Sequence, residues 1–256
     1  MRNFLIGKLS FLFVSIFLFT SGAFASHNPG GNITYDCVGP NQYLVTLTLY
    51  EDCGTAFTSA TDPMTLVASN TCGLNGGIDL NFTMTNTIFQ QDVSQLCPSQ
   101  VNQSECFGGT LPGIWMHQWQ ATITLPGPCN TWTLSYSSCC VNTTNNLSGQ
   151  PGYYFPTTLN SATSPCNSSA DITAPPIPYV CVNQPVSYSL GGSDPNGNTL
   201  TYQLVSALSA AGTPVTYNAG FTGGTPINGI VIDNNAGVLT FTPNTIGNFV
   251  VAVLIT

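Results

Sequence analysis

The residues best suited to covalent chemistry in this chain are its ten cysteines. Disulfides are the default for an even set of cysteines in an exported protein, whereas a zinc site favours closely spaced C-x-x-C pairs and several histidines. The chain has no such pair and only two histidines. We therefore predict a disulfide framework built from Cys37, Cys53, Cys72, Cys97, Cys106, Cys129, Cys139, Cys140, Cys166 and Cys181.

Two local arrangements bear on how these cysteines pair. Cys139 and Cys140 are adjacent in a strand-like run. Neighbouring side chains on a strand point to opposite faces, so the two should take different partners. Cys166 and Cys181 flank a proline-rich connector, and a bond between them would staple it. The remaining pairings are left open by the sequence.

A second candidate site is a row of rings. Trp115, His117 and Trp119 fall on one face of a predicted strand, about 7 Å apart. Such a row could stack on the sugar rings of a polysaccharide, or it could pack between two sheets as core. His117 and His27 together also suit copper, as in secreted copper-dependent polysaccharide monooxygenases. That reading requires His27 to be the mature N-terminus, with cleavage after Ser26.

Oxygen ligands for a hard cation recur at alternate positions of one turn, at Asp194, Asn196 and Asn198. Asp171 or Asp233 could join them if the fold brings them close. Amides in place of carboxylates predict only a low-affinity calcium site, and no other cofactor is expected. The alternative is a plain turn, because Asp and Asn side chains bond their own backbone.

Signals for catalysis are weak, and we predict that the chain is not an enzyme. No G-x-S-x-G sequence occurs, and the cysteines are accounted for as disulfide partners. Glu51 and Asp52 are adjacent at a strand end beside Cys53. We interpret them as a solvated turn rather than as the paired acids of a glycosidase.

The charge composition excludes several partners. Charged residues make up 5% of the chain, and its two basic residues, Arg2 and Lys8, lie in the first eight positions. The rest of the chain has ten carboxylates and no Lys or Arg. A nucleic-acid partner, a Walker-type phosphate loop and attraction to anionic lipid all require basic residues.

Residues 1–25 are predicted to be a secretory signal peptide. Arg2 and Lys8 precede an apolar run, and Ala23-Phe24-Ala25 matches the A-x-A cleavage pattern. No later segment is apolar for the roughly 20 residues that a membrane span needs. The mature chain is expected to be exported, without membrane insertion after cleavage.

Alternation of apolar and polar residues indicates strands throughout the mature chain. Tyr43, Val45, Leu47 and Leu49, for example, share one face. Residues 153–171, rich in Ser, Thr, Asn and Pro, are interpreted as a loop. Similar strand-like runs span 78–84, 115–125, 131–138, 186–190, 200–205, 238–242 and 249–255. The predicted class is all-β.

Composition divides the mature chain into two modules. Residues 26–165, which hold eight of the cysteines, are predicted to form a disulfide-bonded β-sandwich. Residues 166–178 form a linker that ends in the stiff run Ala174-Pro175-Pro176-Ile177-Pro178. Residues 179–256 have the size and turn spacing of an immunoglobulin-like sandwich.

Three stretches resemble large gliding-motility-associated surface proteins of the Bacteroidota, which are exported by the type IX system. Residues 26–53 read SHNPGGNITYDCVGPNQYLVTLTLYEDC, and residues 130–142 read NTWTLSYSSCCVN. Pro175 to Cys181 then lead into a D-P-[DN]-G-[DN]-x-L-x-Y motif at Asp194 to Tyr202. The second module also resembles polycystic-kidney-disease-type (PKD) and cadherin-like repeats.

This resemblance implies a non-catalytic structural or adhesin role at a bacterial cell surface, with a cell-surface or extracellular polymer or protein as partner. It supplies no catalytic residues. The chain departs from the family at Val141, where a basic residue is common. Family members are also usually longer and end in a sorting domain, so the second module is expected to be truncated. The alternatives are a secreted carbohydrate-binding protein and, more remotely, the copper enzyme.

Overall fold

The computed structural model describes residues 29–54, 63–174 and 178–256. Regular structure in these ranges is almost entirely β, which confirms the prediction of an all-β, sandwich-like, disulfide-bonded fold. The predicted signal peptide, residues 1–25, lies outside the described residues, and so does His27. No helix within the described ranges is long and apolar enough to cross a membrane.

The first module is one curled sheet of seven antiparallel strands in the order β1-β2-β5-β4-β3-β6-β7. Its strands are β1 (Gly30–Gly39), β2 (Gln42–Asp52), β3 (Met64–Ser69), β4 (Leu80–Asp92), β5 (Ile114–Thr124), β6 (Trp132–Ser138) and β7 (Tyr153–Leu159). Short 3-10 turns occur at Leu74–Gly77, Pro98–Gln103 and Glu105–Phe107. The interpretation of 153–171 as loop is therefore wrong for β7. Its Thr- and Tyr-containing sequence suits a strand once β6 supplies the hydrogen bonds.

Strand β4 turns the sheet into two layers. Its first half pairs with β3 and its second half with β5. Two register shifts, between Asn86 and Ile88 and between Ile88 and Gln91, bend the strand between these pairings. The two edges of the sheet then approach each other, since the Tyr35 hydroxyl of β1 donates to the Thr158 carbonyl of β7 at 3.0 Å.

The core of the first module lies between these layers. The alternating face predicted for β2 is buried, with Tyr43, Val45, Leu47 and Leu49 at most 1% exposed. Trp119 and Trp132 are also fully buried. Each large apolar side chain removed from water in this way contributes about 1.5–3 kcal/mol, so this face dominates the stability of the module.

The second module is built from shorter strands around a smaller core. Leu190, Tyr202, Ile230, Leu239 and Phe241 form the buried centre. Its strands are β8 (Asp171–Ile172), β9 (Val186–Ser189), β10 (Gly192–Ser193), β11 (Tyr202–Val205), β12 (Leu208–Ala210), β13 (Thr213–Pro214), β14 (Val231–Ile232), β15 (Val238–Phe241) and β16 (Ala252–Ile255). These strands pair in the orders β14-β15-β9, β11-β16, β12-β13 and β10-β8.

A tight turn joins β14 to β15. The Asp233 carboxylate accepts hydrogen bonds from the backbone N–H groups of Asn235 and Ala236, at 2.8 and 2.9 Å. These bonds lower the pKa of Asp233, since they favour its charged form. Gly237 closes the turn at φ +62°, and a Cβ there would lie 2.6 Å from the Tyr202 ring. Only glycine satisfies both conditions without strain.

Residues 145–148 of the first module run into the second. The Asn145 and Ser148 N–H groups donate to the carbonyls of Asn248 and Thr216, and Leu147 forms a β-bridge with Tyr217. At the centre of this segment Asn146 is fully buried. The two modules therefore share hydrogen-bonded backbone well outside the linker.

The predicted linker, residues 166–178, is held at several points. Cys166 is bonded to Cys37 of β1. Residues 171–172 form β8 and pair with β10. Residues 175–177 lie outside the described residues.

Candidate functional site

Four disulfides cross-link the chain. Three of them join residues far apart in sequence, namely Cys37–Cys166, Cys53–Cys106 and Cys72–Cys129. The first ties β1 to the linker, so the suggested Cys166–Cys181 bond is wrong. Cys97 and Cys181 are unpaired in this structure, and both are exposed.

The fourth disulfide joins the adjacent residues Cys139 and Cys140, so the expectation that they take different partners is wrong. The alternation that motivated this expectation applies only within a strand. Strand β6 ends at Ser138, and the peptide bond between the two cysteines is cis.

The row of rings faces the core of the first module. His117 and Trp119 lie opposite Leu49 and Leu47 of β2 and are fully buried. Their rings stack, with centroids 5.9 Å apart. Of the three predicted residues, only Trp115 is partly exposed. The buried part of the row packs between the sheets and cannot contact a polysaccharide.

Beside this row lies a buried polar pair. His117 Nε2 lies 3.1 Å from Glu51 Oε2, with both side chains almost wholly out of solvent. His117 Nδ1 accepts a hydrogen bond from the Gln90 N–H at 3.4 Å. Both ring nitrogens of His117 therefore have partners inside the core. This arrangement does not suit the role of a copper ligand. The interpretation of Glu51 as part of a solvated turn is also wrong, because β2 extends through it and turns it inward.

Rings and carboxylates meet on the surface where Trp115 emerges. Phe107 packs edge-on against Trp115 with a centroid distance of 6.0 Å, and Phe107 itself is 56% exposed. Trp115 lies directly opposite Asp92 in the β4–β5 pairing. Phe107 is two residues from Glu105. We call these four residues the aromatic–acidic patch.

The phenol of Tyr179, in the second module, is influenced by the carboxylates of this patch. Burial raises its pKa to about 12, and nearby negative charges add to the shift. Those charges belong to Asp52, Glu105 and Asp92. The sequence did not single out Phe107, because its contact with Trp115 depends on how the 3-10 turn Glu105–Phe107 packs against β5.

The turn predicted to bind calcium is committed to internal hydrogen bonds. Asp194 Oδ1 accepts from the backbone N–H groups of Asn196 and Asn198 at 2.8 and 3.0 Å. Asn196 Oδ1 accepts from the Ser168 N–H at 2.8 Å, which docks the turn against the linker. Burial and the charges of Asp36 and Asp194 raise the pKa of Asp171. Asp233 lies in the β14–β15 turn described above.

No group of three or more His, Cys, Asp or Glu side chains in the described ranges is arranged to hold a metal ion.

The sequence analysis did not identify the residues that connect the two modules. Asn146 Nδ2 donates to the carbonyls of Pro226 and Val250, and its Oδ1 accepts from the Val250 N–H. An asparagine among many others carries no local signal of such a role.

Comparisons with protein-family models, curated proteins and solved structures return no match for this chain.

Proposed function

We propose that this chain is a non-catalytic structural or adhesin module of an exported bacterial surface protein, of the gliding-associated kind that its motifs resemble. The observation that supports this most is the connection between the modules. Residues 145–148 insert into the second module, and the Cys37–Cys166 bond fixes the linker to the first. A pair of modules joined this way acts as a rigid spacer.

The composition supports the same proposal. Strand pairing, apolar burial and cystines stabilise the fold, while Lys and Arg are absent after Lys8. Such a chain offers no cleavage site to trypsin-like proteases and depends little on ionic strength. Both properties suit a protein displayed outside the cell.

Labelling of intact cells tests the surface role. An antibody against the folded chain should stain cells of the source bacterium without permeabilisation, and deletion of the gene should reduce attachment or gliding on a surface. A strain that expresses a cytoplasmic reporter controls for lysis. Staining only after permeabilisation, with unchanged attachment, contradicts the proposal.

Resistance to a protease of broad specificity tests the rigid connection. The oxidised protein should resist digestion, and the reduced protein should be cut. The N146A variant should be cut first near the module junction, because Asn146 secures the inserted segment. Equal digestion of the oxidised and reduced proteins contradicts this part of the proposal.

The aromatic–acidic patch favours a second function, binding of a neutral polysaccharide. The exposed Phe107 ring and the partly exposed Trp115 ring can cover the apolar face of a sugar, and Asp92 and Glu105 can accept hydrogen bonds from its hydroxyl groups. Because the patch has no basic residue, it does not favour anionic polymers.

Tryptophan fluorescence titration with a panel of neutral polysaccharides tests this function. Trp115→Ala and Phe107→Ala should each weaken binding at least tenfold without unfolding the protein. Ile246→Ala is the matched control, since Ile246 is an 86% exposed apolar side chain in the second module. Binding that survives both patch variants contradicts a role for the patch.

A further inference from the structure

Asparagine followed by glycine occurs three times in the chain, at Asn75-Gly76, Asn196-Gly197 and Asn228-Gly229. In this dipeptide an asparagine side chain loses its amide group readily. The backbone nitrogen of the next residue attacks the side-chain amide carbon, and a glycine at that position places no Cβ in the way. The fold decides which of the three can react, because a hydrogen bond can hold either reacting group.

At Asn196-Gly197 both reacting groups are held. Asn196 Oδ1 accepts a hydrogen bond from the Ser168 N–H at 2.8 Å, so the side chain is docked against the linker. The Gly197 N–H donates to the Asp194 carbonyl at 3.0 Å, so the nucleophilic nitrogen is also occupied. Two hydrogen bonds must therefore break before this asparagine can react.

At Asn75-Gly76 only the side chain is held. Asn75 Nδ2 donates to the Ile78 carbonyl at 3.0 Å. The Gly76 N–H forms no hydrogen bond with any residue that the structure describes. One hydrogen bond therefore restrains this site.

At Asn228-Gly229 neither group is held. Both residues are exposed. Among the described residues, the Asn228 side chain and the Gly229 N–H have no hydrogen-bond partner. Gly229 has φ +73°, and a Cβ built there meets no atom within 4 Å, so no neighbouring group crowds this glycine. The side chain and the nucleophilic nitrogen can meet by rotation about bonds that nothing restrains.

We propose that Asn228 is a site of spontaneous deamidation in the folded protein. The Gly229 nitrogen forms a bond to Asn228 Cγ and loses its proton, while the amide nitrogen leaves as ammonia. The product is a five-membered succinimide, and water then opens this ring at one of its two carbonyl carbons. Aspartate or isoaspartate results at position 228, and either one carries a new carboxylate. The reaction consumes one water, releases one ammonia and changes no oxidation state.

The new carboxylate would lie at the junction between the modules. Asn228 lines a cavity of about 200 Å³ together with Asn145 of the inserted segment and the rings of Phe221 and Phe249. The described side chains that line this cavity are all uncharged. Deamidation would therefore place the first charge in its wall.

Isoaspartate would also change the backbone, because it adds one methylene to the main chain. The turn around Asn228 is closed by the Ile230 N–H, which donates to the Ile227 carbonyl at 3.2 Å. Directly before this turn, the Pro226 carbonyl accepts from Asn146 Nδ2 at 3.0 Å. A longer main chain here should weaken the contact that secures the inserted segment.

Incubation of the oxidised, folded full chain in mildly alkaline buffer tests the site. Aliquots are digested with pepsin in acid, where succinimide formation is slow, and mass spectrometry measures the conversion of amide to acid at each asparagine. Asn228 should convert at least about tenfold faster than Asn196, because Asn196 must first break two hydrogen bonds. Asn75 should fall between them. A rate at Asn228 no greater than that at Asn196 overturns the proposal.

The reduced chain in guanidinium chloride is the reference for intrinsic reactivity. Because unfolding removes the hydrogen bonds, the three dipeptides should then convert at similar rates. The same order of rates in folded and unfolded chain would assign the difference to neighbouring sequence and overturn the role of the fold. N228Q keeps an amide but would have to close a larger ring, so position 228 should not convert. N75Q is the matched control and should leave conversion at Asn228 unchanged.

Amide hydrogen exchange tests the effect on the junction. The Val250 N–H donates to Asn146 Oδ1, so its exchange reports on the inserted segment. Incubation should accelerate exchange at Val250 in the parent protein and leave it unchanged in N228Q. Unchanged exchange in fully converted parent protein overturns the effect on the junction, while the deamidation site and the proposed function stand.

Discussion

At the scale of single residues, the structure turns several polar side chains toward the interior. Glu51 and His117 are buried against each other, and Asn142 donates to the Asp52 carboxylate just beyond. Removing a charge from water is costly unless it is paired and hydrogen-bonded. These residues therefore contribute mainly by fixing how β2 and β5 face each other.

The Glu51–His117 pair should be sensitive to loss of one partner. We expect Glu51→Ala to lower the free energy of unfolding by about 1–3 kcal/mol, because it leaves a buried ring nitrogen of His117 without its hydrogen-bond partner. Urea denaturation measures the change. Asp79→Ala, at an exposed carboxylate, should stay within about 0.5 kcal/mol of the parent protein. Replacing both partners by Leu should recover part of the loss, and a small effect of Glu51→Ala contradicts the interpretation.

Gly237 should tolerate substitution worse than another glycine of positive φ. Gly197 has φ +80°, and a Cβ built there meets no atom within 4 Å. Gly197→Ala should therefore lower the free energy of unfolding only through its left-handed backbone, by about 1–2 kcal/mol. Gly237→Ala adds a collision with Tyr202, worth about 1–3 kcal/mol more. Thermal and urea unfolding of the two variants compare these costs. Equal losses would show that the collision is absent.

At the scale of elements, two features organise the molecule. Strand β4 divides its hydrogen bonds between β3 and β5, which creates two layers from one sheet. Residues 145–148 extend from the first module, and their backbone N–H groups donate hydrogen bonds to carbonyls of the second module. The insertion is stabilised by neutral amide groups, in keeping with a chain that has almost no ion pairs to use.

Asn146 should control the stability of this insertion. We expect Asn146→Ala to cost about 1–3 kcal/mol, because the Val250 N–H and two carbonyls lose a buried partner. Amide hydrogen exchange should accelerate at Val250 more than in β2 of the first module. Asn235→Ala, at an exposed asparagine, is the control and should leave exchange unchanged. Uniform acceleration across both modules would instead indicate global destabilisation.

At the scale of the whole molecule, several buried tyrosines make the stability of the fold depend on pH. Burial raises the pKa of Tyr35, Tyr50 and Tyr179 to about 12. Asp194 adds to the shift of Tyr35, and Tyr188 adds to that of Tyr50, in each case across the junction. Ionisation of these phenols would place negative charge inside a fold that is already acidic.

The fold should therefore weaken in alkali. The three phenols ionise near pH 10 when unfolded and near pH 12 when folded. Their raised pKa stabilises the folded state fully below about pH 10, and this contribution is lost as the pH rises toward 12. Unfolding midpoints measured across this range, with tyrosinate absorbance, check the expectation. Tyr179→Phe should reduce the slope, and phenols that titrate near pH 10 in folded protein would contradict it.

The sequence by itself determined the features that depend on near neighbours. The alternation in β2 identified its buried face, and the turn residues identified Asp233 and Gly237, because strand period and positive φ are properties of a few adjacent residues. The number and type of cysteines indicated disulfides. The near-absence of basic residues predicts that nucleic acid is not a partner.

Only the tertiary structure decided which distant residues meet. Cys37 pairs with Cys166 across a separation of 129 residues, and no local pattern records that distance. Burial of Glu51 and Asn146 depends on strands and segments contributed from elsewhere in the chain. Trp115, His117 and Trp119 share one face, as the alternation predicted, but the packing of Phe107 and the opposing sheet decides which of them reach solvent. Local chemistry sets what a residue can do, and long-range packing sets whether it faces water.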